Sequence, residues 1–117
     1  PLTNLTSIKI FGKPFEVKFL EDAFESHTLG LCRTLDNSIT ILADMPPAEE
    51  LDTVLHEVLH AICHVMSIPF PNHEAEEVTV HMMGTGLAGV FLDNPSLLAY
   101  IAEITKKVQA PRVSKKK

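Results

Sequence analysis

The sequence has few cysteines and no long apolar run. Its 117 residues include two cysteines, no tryptophan and one tyrosine. Two cysteines as far apart as Cys32 and Cys63 favour reduced thiols over a disulfide framework. Apolar stretches such as residues 97–102 are far shorter than the roughly 18 residues that cross a bilayer. We therefore expect one domain with its own core, no membrane association and, since no export signal is present, a cytoplasmic location.

Basic residues are also scarce outside the C-terminus. Residues 1–110 hold six basic and fifteen acidic side chains, a net charge of −9, whereas the last seven residues hold four basic ones. A nucleic-acid groove needs a basic face, so we expect no nucleic-acid partner. The composition predicts a single domain over residues 1–110, followed by a basic, disordered tail over residues 111–117.

The N-terminal half carries strand patterns. Residues 8–10 and 15–19 alternate apolar with polar side chains on either side of residues 11–14, which predicts a hairpin. Residues 29–33 and 38–42 flank a turn-forming Asp-Asn pair and predict a second pair of strands. We therefore expect a small, mostly antiparallel sheet in this half of the chain.

From Asp44 onward apolar residues recur every three or four positions, which predicts helices. The first helix is expected to end after Ile68, because prolines follow at positions 69 and 71. Asn72 can cap a second helix over about residues 73–92, and Asn94 can cap a third that ends before Pro111. The fold class is therefore α+β, with the small sheet packed on three helices.

The first predicted helix contains a metal-binding pattern, since residues 56–60 read His-Glu-Val-Leu-His. Two histidines four residues apart lie on one helix face, where both imidazoles can reach one zinc ion at about 2.0–2.1 Å. Glu57 lies beside them, in the position of the general base that accepts a proton from water activated by the metal. This pattern predicts a zinc site held by His56 and His60.

A third ligand has to come from elsewhere in the chain. His64 lies about 12 Å along the helix axis from His56, too far to share one ion. The longer zincin pattern with a third histidine is excluded, because that position is Met66. After a short turn, the second helix offers Glu74, Glu76, Glu77, His73 and His81. A carboxylate is the natural choice, because two histidines with one glutamate are a common catalytic zinc set.

The helix face discriminates among these carboxylates. Glu77 aligns with Val80 and Gly84 on the predicted buried stripe, and we favour it as the third ligand. Glu76 aligns with Val80 and Met83 and remains the alternative. Glu74 lies a turn earlier and suits the first-turn preference for anions. His81, one turn after Glu77, could hydrogen-bond one of the metal ligands without binding the metal itself.

The order of these features resembles the compact gluzincin-type metallopeptidases, especially the ImmA/IrrE-like and short phage-encoded ones. The resemblance covers roughly residues 28–100 and rests on the His-Glu-Val-Leu-His-Ala helix and on the Glu76-Glu77 pair that precedes a Gly-containing apolar stretch. With Glu77 as ligand, Val80 and Gly84 match small or apolar positions of the family, whereas His81 stands where asparagine is usual. The resemblance implies a minimal zincin-like domain that acts on a peptide or protein substrate.

The resemblance also implies two features of substrate binding. In the family an edge strand before the active helix holds the substrate backbone, and Ser38–Leu42 occupies that place in the sequence. A second hydrogen-bond donor stabilises the oxyanion, and Tyr100, His64 or His73 could fill that role.

Three functions are compatible with the sequence. The first is a zinc-dependent endopeptidase or related amide hydrolase with His56, His60 and Glu77 as ligands and Glu57 as base. The second is a non-catalytic zinc-binding or protein-interaction module that retains the fold. The third is a structural protein whose histidines bind no metal.

Overall fold

The computed structural model describes residues 5–21 and 28–110, and it has an α+β fold. Four strands precede three helices in the chain. They are β1 (Ser7–Ile10), β2 (Lys13–Leu20), β3 (Gly30–Arg33), β4 (Ser38–Leu42), α1 (Pro47–Met66), α2 (His73–Asp93) and α3 (Pro95–Gln109). The expected fold class and element order are confirmed. The expected basic tail, residues 111–117, lies outside the described residues.

The four strands form one sheet in the order β1-β2-β4-β3. Both predicted hairpins are present as antiparallel pairs, β1 with β2 and β3 with β4. Between them β2 and β4 run parallel, with Glu16 opposite Ser38. The prediction that Ser38–Leu42 forms an edge strand is wrong, because this strand joins the two hairpins in the middle of the sheet. The edge strand next to the helices is β3.

The turns of the hairpins follow local backbone chemistry. Phe11 and Gly12 connect β1 to β2 with φ angles of 49° and 82°. A two-residue turn with two positive φ angles matches the right-handed twist of a hairpin, and Gly12 adopts such an angle without steric cost. Asn37, with φ 53°, ends the second turn, as the Asp-Asn pair suggested.

The main core lies between one face of the sheet and α1. Phe15 from β2, Ile39 and Ile41 from β4 and Ala61 from α1 are completely buried. Burying a side chain the size of Phe or Ile contributes about 1.5–3 kcal/mol to stability. The two-residue period of the strands thus points their apolar side chains at a single helix.

Helix α2 packs on the other side of α1 through Val80, Gly84 and Ala88, which are its buried residues. The two helices approach closely, since a Cβ atom at Gly84 would lie 3.4 Å from backbone atoms of His56. The side chain of Asn72 caps α2 by accepting a hydrogen bond from the backbone N–H of Ala75 at 2.8 Å. This packing sets the first turns of α2 opposite the histidines of α1.

Helix α3 contacts α2 and buries none of its residues. Asn94 precedes it as expected, but its side chain donates to the backbone carbonyl of Val90 and makes no cap hydrogen bond to α3. Within the described residues no single helix is long and apolar enough to cross a membrane. Helices α2 and α3, which meet at a bend of 95°, have the length and apolar composition of a membrane span only when the two are counted together.

Candidate metal centre

The structure brings the three residues favoured as ligands together. His56 and His60 lie on successive turns of α1, and Glu77 reaches them from α2. One ligand atom from each residue lies within 4.8 Å of the other two. The Glu77 carboxylate oxygens are 3.4 Å from Nε2 of His56 and 3.1 Å from Nε2 of His60. These nitrogens and oxygens therefore converge on one point between the helices.

The Nε2 atom of His60 is the strongest indication of a ligand at this point. It is buried and makes no hydrogen bond to any described residue. Glu77 lies within 3.1 Å of it, but the two atoms are not aligned as a hydrogen bond. Leaving a buried polar nitrogen unpaired costs about 1–3 kcal/mol. A metal ion between the three side chains would satisfy this nitrogen, so the donor set fits a metal.

Glu76 contacts the opposite side of the His60 ring. Its Oε2 atom lies 2.8 Å from Nδ1 of His60, a hydrogen-bond distance. A proton on Nδ1 donated to this carboxylate leaves the lone pair of Nε2 facing the cluster. The two candidate glutamates thus lie at different nitrogens of His60, with Glu77 near Nε2 and Glu76 at Nδ1.

His81 lies beside His56. The ring centroids of the two residues are 6.3 Å apart, compared with 4.9 Å between His56 and His60. The pKa of His56 is lowered, first by burial and then by the neighbouring His60. A neutral imidazole is the form that binds a metal.

Glu57 is buried beside the cluster, with 7% of its surface exposed. Burial is the main cause of a pKa raised to about 7 for its carboxyl; His60 opposes the shift, the nearby Glu77 adds to it, and a backbone hydrogen bond with Cys32 also opposes it. A general base works best when its pKa lies near the working pH. Glu57 therefore has the position and the acidity suited to proton transfer near neutral pH.

Gly30 on β3 makes room for the Glu57 side chain. A Cβ atom at this position would lie 2.8 Å from Cγ2 of Thr53 and 3.1 Å from both Cγ and Oε2 of Glu57. Distances this short force a neighbour to move. The backbone of β3 therefore lies close to Glu57, and at Cys32 it forms a hydrogen bond with the carboxylate.

We expect Gly30→Ala to displace Glu57 and to lower the free energy of unfolding by about 1–3 kcal/mol, as overpacking does. Combining it with Thr53→Ser, which removes the closest methyl group, should restore part of this loss. Chemical denaturation of both variants and of Thr53→Ser alone measures the effect. Equal stability of Gly30→Ala and the wild type would show that the contact is not tight.

A groove of about 820 Å³ opens over the cluster between β3 and α2, with α1 as its floor. Of the three candidates for the oxyanion donor, His64 and His73 line the groove. Tyr100 does not line it, since it lies on α3 with 60% of its surface exposed. The contribution of β3 to the groove is not predicted from the sequence, in which the glycine at position 30 is the available signal.

Both cysteines also line the groove. Burial, together with the negative charges of Glu57 and Glu76, raises the pKa of the Cys32 thiol to about 11. Burial also raises the pKa of Cys63. The thiolate is the form that binds metals and attacks substrates, so neither cysteine is suited to these roles at neutral pH.

The chain was compared with protein-family models, curated proteins and solved structures, and none of them matches it. The resemblance to gluzincin-type peptidases therefore stays a prediction from the motif residues of the sequence. The donor set, the buried carboxylate and the edge strand are the observations from which a function can be inferred.

Proposed function

We propose that this protein is a zinc-dependent metallopeptidase in which His56, His60 and Glu77 hold the metal and Glu57 is the general base. The observation that carries the proposal is the buried, unpaired Nε2 of His60 among converging ligand atoms. A buried carboxylate adjacent to this cluster supplies the second element of hydrolytic chemistry. A site that only bound metal would have no need of Glu57.

We favour zinc over Fe(II), which also binds two histidines and one carboxylate, because the buried Glu57 beside the cluster suits hydrolysis. Two imidazole nitrogens and one carboxylate oxygen are the protein ligands of many catalytic zinc sites, which leave one position for water or substrate. When bound, zinc lowers the pKa of water to about 7 and polarises the substrate carbonyl. Glu76 supports the set by fixing the orientation and tautomer of His60.

Glu57 supplies the proton transfer. Its carboxylate accepts a proton from the attacking water and later donates it to the leaving amine. Burial against Gly30 and Thr53 keeps the side chain in one orientation beside the cluster. The raised pKa fits a group that has to accept and release a proton at neutral pH.

The groove favours an extended peptide as substrate. One side of β3 pairs with β4, and its other side faces the groove, so a peptide can add to the sheet as a further strand. Four carboxylates and no described Lys or Arg line the groove, namely Asp52, Glu57, Glu76 and Glu77. Such a lining attracts basic peptides and repels acidic ones.

The proposal is tested by preparing the metal-free protein and the His60→Ala variant and adding one equivalent of zinc to each. Native mass spectrometry reads the bound metal, and digestion of a mixture of unstructured peptides reads the activity. We expect one zinc per wild-type chain, cleavage that requires zinc, and neither in His60→Ala. Stoichiometric zinc without cleavage would instead favour the non-catalytic zinc-binding module, and absence of zinc would contradict both functions.

A further inference from the structure

A second apolar surface lies away from the groove. Residues 78–92 of α2 contain no Asp, Glu, Lys or Arg. On the face of α2 opposite α1, the exposed fractions of Val78, Met82 and Val90 are 53%, 67% and 43%. Gly86 and Gly89 share this face, and a Cβ atom on either would have no neighbour within 4 Å among the described residues. Another helix could therefore approach this face closely.

Helix α3 presents a matching apolar face. Its apolar residues recur every three or four positions, and Ile101, Ile104 and Val108 remain 42%, 40% and 78% exposed. An amphipathic helix usually buries such a face. We call six of the exposed apolar residues of the two helices the α2–α3 surface, namely Val78, Met82, Val90, Ile101, Ile104 and Val108. Patches of this kind mark interaction sites.

We propose that a second copy of this chain covers the α2–α3 surface, with α3 of each copy lying antiparallel on α2 of the other. The lengths match, because the uncharged segment 78–92 and α3 each contain 15 residues. At 1.5 Å per residue both are about 22 Å long. A two-fold symmetric pair places each α3 on one α2, so that both apolar faces of each copy are covered.

The charge distribution favours a second copy as the occupant. Residues 1–94 carry a net charge of −10, whereas residues 95–117 carry +5. In the antiparallel arrangement the end of α3, which carries Lys107, points toward the start of α2 in the other copy, where Glu74 is exposed. An anionic lipid surface would attract the basic end but would be repelled by the acidic remainder of the chain.

The oligomeric state tests this proposal independently of the proposed function. Sedimentation velocity of the wild type over a dilution series is expected to show twice the 12.9 kDa mass of the chain at high concentration. Ile101→Glu should yield monomers, because it buries a charge in the interface. The matched control is Leu35→Glu, which adds the same charge at a fully exposed apolar residue in the β3–β4 turn and should remain dimeric.

Circular dichroism checks that Ile101→Glu is folded, and Met82→Lys on α2 provides a second disruptive change. Lys107→Glu should weaken the dimer at least several-fold, and adding Glu74→Lys should restore it if the helices pair antiparallel. A wild type that is monomeric at every concentration would overturn the proposal. So would a monomer that binds vesicles of phosphatidylcholine and phosphatidylserine, which would assign the surface to lipid. A dimer that persists in both apolar-surface variants would likewise overturn it.

Discussion

Replacing Glu57 with Gln is expected to lower the rate of peptide cleavage by about 10²- to 10⁴-fold, the usual contribution of general acid–base catalysis. The amide has nearly the same shape as the carboxylate but cannot accept a proton from water. Since Glu57 is not one of the three proposed ligands, the zinc content should equal that of the wild type. Steady-state cleavage rates and metal analysis of the same samples measure the two effects separately.

A matched control for this change is Glu103→Gln, which removes an exposed carboxylate from α3 outside the groove. It should leave both the rate and the zinc content unchanged. If Glu57→Gln cleaved peptides at the wild-type rate, Glu57 would not be the base. If it lost zinc together with activity, the side chain would have a role in metal binding, and the assignment of ligands would be wrong.

Zinc affinity should separate the three glutamates at the start of α2. Glu76→Gln weakens the hydrogen bond to Nδ1 of His60, and a change of this kind lowers metal affinity by about 10- to 100-fold. Glu77→Gln removes a proposed ligand and should lower the affinity more than that. Glu74→Gln, on the same turns of the helix but outside the groove, should leave the affinity unchanged.

Competition titration with a chromophoric zinc chelator measures the three affinities under identical conditions. We expect Glu74→Gln to bind zinc as tightly as the wild type, Glu76→Gln to bind it more weakly, and Glu77→Gln to bind it most weakly. The reverse order for Glu76 and Glu77 would make Glu76 the ligand and Glu77 the supporting residue. Equal affinities for all three variants would show that the metal is held elsewhere.

Most of the fold could be predicted from the sequence, because each element depends on local periodicity. The two-residue alternation around Gly12 predicts one hairpin, and the proline and asparagine signals place the ends of α1 and α2 to within a few residues. The order of strands could not be predicted in this way. Pairing of β2 with β4 is a contact between distant segments, and nothing in the pattern of Ser38–Leu42 shows which of its sides is paired.

The candidate site could be predicted in part. The spacing of His56 and His60 fixes their common face, and the alignment of Glu77 with Val80 and Gly84 points it at α1. Consecutive residues on a helix differ by about 100° in direction, so two neighbouring glutamates can contact different sides of one imidazole. Which of them reaches Nε2 depends on the rotation of α2, which is set by tertiary packing at Gly84.

The position of β4 in the middle of the sheet also bears on the order of folding. Only the β3–β4 hairpin is local, since it pairs neighbours in the chain such as Arg33 and Ser38. The contacts that build the metal site join distant segments, for example Gly30 with Glu57 and Gly84 with His56. The parallel pairing of β2 with β4 joins residues as far apart as Glu16 and Ser38, and distant contacts form slowly because they close long loops. We therefore expect the β3–β4 hairpin to form early, and the docking of α1, α2 and the N-terminal hairpin, which all close long loops, to follow it.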